Sequence, residues 1–302
     1  MATHSSIPLR TVLGDYPHTL PLKRGDIRSE FVTLDFADIR PTHRAFKPMI
    51  REAKFDLCEM AIVTYLQAKA LGKPLVLLPA TMLGRFQQGC MLYNSSRGTL
   101  TPRDLPGCRV GVRSYAQTTG VWLRGILRRD YGVDLDRVQW ITFEDAHVAE
   151  YSDPPGVVRA PGGKDLTAML LAGELDAAVF GAELPNNPEL KSVIAEPEAA
   201  ARDWYQQYRV TPINHMVVVK QELVSQSPQV VREAYRLLVE AKRMAAPTRV
   251  EPDPVPFGIA ASRPALELII DYTFAQRLIG QRLTVDELFD GVTDLVEGLP
   301  DR

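Results

Sequence analysis

A polar loop in residues 105–120 has the composition of an anion-binding site. The sequence is LPGCRVGVRSYAQTTG, in which residues 109–112 have the pattern of a buried strand and an apolar helical spacing begins at Val121. An anion at that helix N-terminus would meet backbone N–H groups, the positive end of the helix dipole and a guanidinium. We predict that Thr118 or Thr119 caps this helix, and an ordinary capped turn that binds no ligand is the alternative. The candidate ligand-binding residues are Arg113, Tyr115, Gln117, Thr118 and Thr119.

Three of the five histidines, His18, His147 and His215, flank predicted strands. Imidazole titrates near neutral pH, so these residues are candidates for general acid–base chemistry, although a structural hydrogen bond would also explain each of them. Carboxylates after strands could orient an imidazole or accept a proton, or cap the following helix. Further candidates are Asp15, Glu59, Glu183, Arg85, Asn214 and Tyr16.

The elements that would position these residues alternate between short apolar runs and helical patterns, which is typical of α/β folds with mostly parallel strands. In such sheets ligands bind beyond the carboxyl ends of the strands, where the candidate residues lie. We predict strands over 10–13, 31–34, 55–57, 75–78, 109–112, 138–142, 176–180 and 216–219. We predict helices over 45–53, 61–70, 118–131, 165–172, 227–245, 264–277 and 284–296.

Length and composition indicate an ordinary globular protein. A chain of 302 residues is long enough for two lobes, and a formal net charge of −2 gives no electrostatic basis for binding nucleic acid or a membrane surface. Three widely spaced cysteines indicate neither a disulfide framework nor a zinc site. The first residues lack the apolar stretch of an export signal, so we expect a cytoplasmic protein.

Motifs for cofactors are not evident in the sequence. A divalent metal is conceivable, since Asp15, His18, Glu59, His147 and His215 are possible ligands, but their spacing matches no zinc-binding string and we assign no metal. The chain has neither a GxGxxG string after a predicted strand nor a GxxxxGK[ST] string. We therefore expect no organic cofactor.

Two segments, DLPGCRVGVRSYAQTTG and LLAGELDAAVFGAE, resemble the second lobe of type II periplasmic solute-binding proteins. The resemblance implies an α/β fold of two lobes, each a mostly parallel sheet flanked by helices, with a ligand cleft between them. It also implies a discontinuous first lobe, residues 1–103 and 212–302, and a second lobe of residues 104–211.

Within that fold the sequence looks most like the 4,5-dihydroxyphthalate decarboxylases. The resemblance rests on GDYPHT, FDLCEMA, RVGVRSYAQTTGVWLRGIL, EDAHVAEYSDPP, INHMVVV and LTVDELF. It implies a carboxy-lyase that converts 4,5-dihydroxyphthalate, or a close hydroxylated aromatic dicarboxylate, to 3,4-dihydroxybenzoate and carbon dioxide. The hydroxyl para to the departing carboxylate would make its ring carbon basic, so the protein needs a proton acceptor, a proton donor and cations.

These requirements assign expected roles to the candidate residues. Arg113, helped by the two threonines, and Arg85 would bind carboxylates. A histidine would act as the acid or the base, and a carboxylate would orient a histidine or accept the phenolic proton. Tyr16 and Tyr115 could contact the aromatic ring. A non-catalytic solute-binding or sensor protein for an organic anion is the alternative, because the same fold serves both functions. The sequence does not determine the oligomeric state, and it is compatible with a homo-oligomer.

Overall fold

The computed structural model describes residues 6–245 and 251–299, and the chain folds into two compact units. Unit 1 comprises residues 1–85, 213–270 and 279–302, and unit 2 comprises residues 86–212 and 271–278. The lobes expected from the sequence had a first boundary between residues 103 and 104. The boundary of the units differs because the strand at 91–94 pairs within the sheet of unit 2, and residues 271–278 likewise belong to unit 2.

Unit 1 is built on a five-stranded sheet with the order β2-β1-β3-β11-β4. Strand β1 is parallel to both β2 and β3, whereas β11, which enters from a distant part of the chain, is antiparallel to β3 and β4. The strands of unit 1 are β1 (Ile7–Val12), β2 (Val32–Phe36), β3 (Leu57–Ala61), β4 (Leu75–Gly84) and β11 (Ile213–Lys220).

Unit 2 contains a six-stranded sheet with the order β10-β5-β9-β6-β7-β8. Strands β6 to β9 pair in parallel, and β5 is antiparallel to β9 and β10. The α/β class is confirmed, and both sheets are mixed. The strands of unit 2 are β5 (Met91–Asn94), β6 (Arg109–Val112), β7 (Gln139–Thr142), β8 (Val158–Arg159), β9 (Ala177–Val179) and β10 (Leu190–Ser192).

Helices cover the apolar faces of both sheets. The helices of unit 1 are α1 (Leu20–Arg24), α2 (Phe46–Glu52), α3 (Ile62–Ala70), α7 (Gln221–Gln226), α8 (Pro228–Ala245), α10 (Val285–Leu288) and α11 (Thr293–Val296). Those of unit 2 are α4 (Thr118–Tyr131), α5 (Leu166–Ala172) and α6 (Pro197–Tyr208). Helix α9 (Ile259–Ala275) begins in unit 1, and its last residues are counted with unit 2.

The core of unit 1 explains why β3 can carry a functional group rigidly. All five residues of β3 are buried, and α8 packs an apolar face that includes Val230, Ala234 and Leu237 into the same core. Among the described residues, no helix is long and apolar enough to cross a membrane.

Candidate functional site

The antiparallel pairing of β3 with β11 brings Glu59 and His215 together. Glu59 lies opposite Val217 and His215 lies opposite Ala61, so the two side chains are diagonal neighbours on one face of the sheet. The distance from His215 Nδ1 to Glu59 Oε1 is 2.7 Å. The sequence analysis placed Glu59 after its strand and His215 before its own, which is wrong: both residues lie within strands because β3 and β11 extend further than predicted.

Glu59 accepts three hydrogen bonds although it is fully buried. Tyr16 Oη donates to Oε1 over 2.7 Å, and the backbone N–H of Gly14 donates to Oε2 over 2.8 Å. Burial by itself would raise the pKa of Glu59, but the hydrogen bonds from His215, Tyr16 and Gly14 hold that pKa below its usual value. An ionised carboxylate only accepts hydrogen bonds, so Nδ1 of His215 carries the proton and Nε2 is the atom left for proton transfer.

The loop between β1 and α1 is organised by Thr19. Its Oγ1 donates to the Gly14 carbonyl over 2.7 Å and accepts from the Tyr16 N–H over 2.9 Å. Gly14 leaves room for the Tyr16 ring, because a Cβ at Gly14 would lie 2.6 Å from that ring. Burial and the adjacent Glu59 raise the pKa of Tyr16, which therefore stays a hydrogen-bond donor.

His18 is buried beside Tyr16, with 8% of its surface exposed. Its ring stacks on Tyr16 with the centroids 5.3 Å apart and contacts Phe257 edge-on. Burial and the nearby Lys242 ammonium lower the pKa of His18 to about 4. One ring nitrogen hydrogen-bonds to the backbone of Met82, and Nε2 is buried with no hydrogen-bond partner among the described residues. A neutral imidazole with an unused ring nitrogen is a hydrogen-bond acceptor.

Other candidates in unit 1 have different surroundings. Asp15 pairs with Lys23 at 2.5 Å and Arg40 at 3.1 Å, and the hydrogen bond from Lys23 lowers its pKa, so this carboxylate is engaged by cations. Asn214 is buried in β11 next to His215. Arg85 directly follows β4 and is partly buried.

The predicted anion loop lies in unit 2 between β6 and α4. Arg113 Nε is 3.9 Å from the half-exposed Glu144 carboxylate. The N-cap of α4 is Gln117, whose side chain makes no capping bond. Its Oε1 is buried and has no hydrogen-bond partner in the described part of the chain. The prediction that Thr118 or Thr119 is the cap is therefore wrong: they are the first two residues of the helix, and both are buried.

Tyr115 has a partner that the sequence analysis did not anticipate. The guanidinium of Arg124 lies 3.9 Å from the centroid of the Tyr115 ring, and the Trp140 ring contacts the Tyr115 ring edge-on. Arg124 has no signal in the sequence, because an arginine in the middle of a helix is usually a solvated surface residue. Here it is fully buried.

The structure thus brings together His18, Tyr16, Glu59 and His215 in unit 1, and collects Arg113, Tyr115, Gln117, Thr118 and Thr119 around the start of α4 in unit 2. His147 is partly buried and Glu183 is exposed, and both lie in unit 2. Within residues 6–245 and 251–299, no three His, Cys, Asp or Glu side chains are grouped as metal ligands.

Comparison with known proteins identifies relatives by sequence. The chain is 30% identical over 291 residues to a 4,5-dihydroxyphthalate decarboxylase of Comamonas testosteroni. The matched region covers 92% of this chain and 86% of that protein. It is 29% identical over 214 residues to a 4,5-dihydroxyphthalate decarboxylase of Pseudomonas putida, covering 67% of this chain and 82% of that protein. No model of a protein family matches the chain.

Solved structures show that the fold is that of the periplasmic binding proteins. The alkanesulfonate-binding protein SsuA from Xanthomonas axonopodis pv. citri is 14% identical to this chain and superposes on it with a TM-score of 0.60. The superposition covers 95% of this chain and 99% of the SsuA chain. The aliphatic sulphonate binding protein SsuA from Escherichia coli is 13% identical and superposes with a TM-score of 0.59. That superposition covers 94% of this chain and 92% of the Escherichia coli protein. At these identities the likeness concerns the fold alone.

Proposed function

The chain belongs to the 4,5-dihydroxyphthalate decarboxylase family, and we propose that it removes carbon dioxide from 4,5-dihydroxyphthalate, or a close hydroxylated aromatic dicarboxylate, to give 3,4-dihydroxybenzoate. Membership supports decarboxylase function in general. The observation that carries the finer proposal is the hydrogen bond between the buried, ionised Glu59 and His215.

The substrate itself can supply the electrons for this reaction. When a base takes the proton of the hydroxyl para to one carboxylate, the electron pair moves through the ring and makes the carboxyl-bearing carbon basic. An acid protonates that carbon and forms a non-aromatic ketone. The carbon–carboxylate bond then breaks, carbon dioxide leaves, and its bonding electrons restore the aromatic ring as a phenolate that is reprotonated. The net reaction consumes one proton and needs no external oxidant or reductant.

His215 is suited to be the acid that protonates the ring carbon. Because Glu59 holds Nδ1, the proton transfer takes place at Nε2. The additional hydrogen bonds from Tyr16 and Gly14 keep Glu59 ionised in a buried position, so that it remains the acceptor for Nδ1 of His215. This division of roles between a carboxylate and an imidazole is a common arrangement in acid–base catalysis.

His18 is suited to receive the phenolic hydroxyl. It is neutral at neutral pH, with a pKa of about 4, and Nε2 has no hydrogen-bond partner among the residues that the structure describes. A hydroxyl that donates to this nitrogen becomes more electron-rich, which favours the push into the ring. Asp15 is already paired with two cations, so we assign it no proton-transfer role.

Unit 2 would supply carboxylate binding. Arg113 follows β6 at the start of the loop, and the first turn of α4 directs backbone N–H groups along the helix axis. We assign the retained carboxylate to this loop and keep Arg85 as a second cation. We assign neither an organic cofactor nor a metal to the reaction.

A direct assay tests this proposal. The purified protein is incubated with 4,5-dihydroxyphthalate, 4-hydroxyphthalate and phthalate, and carbon dioxide and the aromatic products are quantified. We expect 3,4-dihydroxybenzoate from the first compound, turnover of the second only by loss of the carboxylate para to its hydroxyl, and none of the third, which lacks a hydroxyl to push electrons. Tight binding of all three without any turnover would favour the solute-binding or sensor function instead.

A further inference from the structure

Arg124 is a fully buried arginine in unit 2 that the proposed reaction does not yet use. Its Nε donates to Gln276 Oε1 over 2.6 Å, and Nη2 donates to the carbonyl of Tyr115 over 2.5 Å. The face of the guanidinium stacks on Tyr115, with the Trp140 ring centroid 5.0 Å away. The group is therefore held rigidly behind the loop that leads into α4.

The guanidinium of Arg124 forms no ion pair with a carboxylate in the part of the chain that the structure describes. Nη1 is buried and has no hydrogen-bond partner within residues 6–245 and 251–299. Asp153 acts on Arg124 electrostatically, but no carboxylate among the described residues forms an ion pair with it within 4.0 Å. Burying a guanidinium without a paired anion is unfavourable, so such a charge destabilises the fold unless a negatively charged group binds near it.

The unpaired nitrogen lies against the first turn of α4. Helical side chains point back towards the N-terminus, and a Cβ on Gly120, the third residue of α4, would be only 3.1 Å from Arg124 Nη1. The absence of a side chain at Gly120 therefore allows the charge to approach the backbone there. The helix dipole and the guanidinium add their positive potentials at the same place.

We propose that Arg124 is the fixed positive charge that gives the start of α4 its affinity for a carboxylate. It acts as a positioning residue: it holds the Tyr115 loop and raises the positive potential of the helix N-terminus from behind, without touching the ligand. The inference rests on the proposed function in one respect, namely that the carboxylate belongs to an aromatic dicarboxylate substrate.

Arg113 is less suited to be the main source of that potential. Its side chain is 28% exposed, and Glu144 lies 3.9 Å away, so solvent and a carboxylate both weaken its field. Arg124 is shielded from solvent, and no carboxylate among the described residues lies within ion-pair distance of it, although Asp153 acts on it from further away. We therefore expect Arg113 to contact the ligand and Arg124 to set the electrostatic potential in which that contact forms.

Binding of phthalate, a dicarboxylate without the hydroxyls that the reaction needs, tests the proposal by calorimetry on the full chain. We expect Arg124→Met to raise the Kd at least about tenfold, and Arg124→Lys, which keeps the charge, to raise it less than about fivefold. Gln276→Met removes a hydrogen-bond partner of Arg124 but keeps the charge, and should change the Kd less than about threefold. Thermal melting of every variant reports on folding.

Several outcomes would overturn the inference. A folded Arg124→Met protein with the wild-type Kd would do so, as would wild-type protein that does not bind phthalate. If Arg124→Met does not fold, the other two variants decide: a tenfold loss of affinity in both would mean that the hydrogen bonds, not the charge, matter. Phthalate binding that depends on Arg124, in a protein that does not decarboxylate 4,5-dihydroxyphthalate, would retain this inference and reject the proposed function.

Discussion

At the scale of single residues, unit 1 holds two buried titratable groups in opposite charge states. Glu59 is ionised because three donors converge on it, whereas His18 is neutral because it is buried near the Lys242 ammonium. Groups whose surroundings push their protonation in different directions are a recurrent feature of acid–base sites. This contrast assigns Glu59 to the support of His215 and His18 to hydrogen-bond acceptance.

Tyr16→Phe tests the support that Glu59 receives. Loss of the 2.7 Å hydrogen bond raises the pKa of Glu59. On acidification, Glu59 therefore becomes protonated at a higher pH in the variant than in the wild type. We expect kcat to fall about tenfold, with the acidic limb of the pH–rate profile displaced to higher pH. Tyr65→Phe is the matched control, since Tyr65 is a buried tyrosine of the same unit that donates to the Leu288 carbonyl. An unchanged pH profile in Tyr16→Phe would contradict the role given to this bond.

His18 predicts a pH dependence of stability. Its folded pKa of about 4 lies below the value of 6.5 for a free imidazole, so the unfolded chain binds more protons between these values. His18 therefore destabilises the fold increasingly as the pH falls from about 6.5 towards 4, by up to about 3 kcal/mol. Urea unfolding of wild-type and His18→Gln protein between pH 4 and pH 7 measures this effect. The variant should lose less stability on acidification, and parallel curves would show that His18 is not held neutral.

The sequence identified these residues but not their connections. His18, Glu59 and His215 were found because histidines and carboxylates are conspicuous near strand ends. The bonds of Glu59 to Tyr16 and His215 join residues 43 and 156 positions apart, and no local pattern encodes such a contact. Thr19 and Arg124 were missed for the same reason, since their roles depend on what surrounds them in three dimensions.

At the scale of elements, hydrophobic periodicity predicted strands and helices correctly where their apolar residues are fully buried. Strand β6 and helix α4 have the predicted bounds because their apolar residues are buried in regular order. Helix α6 was not predicted, because only Ala201 and Trp204 of its twelve residues are buried and the apolar pattern is weak. The predicted helix over 284–296 is two short helices, α10 and α11.

The loop between β1 and α1 provides a test at this scale. In Gly14→Ala the new methyl group would lie 2.6 Å from the Tyr16 ring, which must move and release Glu59. We expect a loss of about 1–3 kcal/mol of stability and about a tenfold lower kcat. Gly280→Ala is the control, because no heavy atom of the described residues beyond its immediate neighbours lies within 4 Å of the added carbon there. Equal activities of the two variants would show that the position of Tyr16 is unimportant.

At the scale of the whole molecule, the fold is shared with proteins whose names describe sulfonate binding, so the fold does not determine the reaction. What distinguishes this chain is the set of titratable side chains that unit 1 carries on β3, on β11 and on the loop after β1. The α/β class and the division into two units follow from length and alternation of elements. The chain positions at which the units divide do not, because they depend on long-range strand pairing such as that of β5 with β9.

The central claim is that Glu59 and His215 act as one acid–base unit in decarboxylation, and a double-mutant cycle measures this most directly. The kcat for carbon dioxide release from 4,5-dihydroxyphthalate is determined for wild type, Glu59→Gln, His215→Gln and the double variant, with thermal melting to confirm folding. If the account is correct, each single substitution lowers kcat by about 10²–10⁴ and the double substitution lowers it little further. Losses that multiply, or single variants as active as wild type, would contradict it.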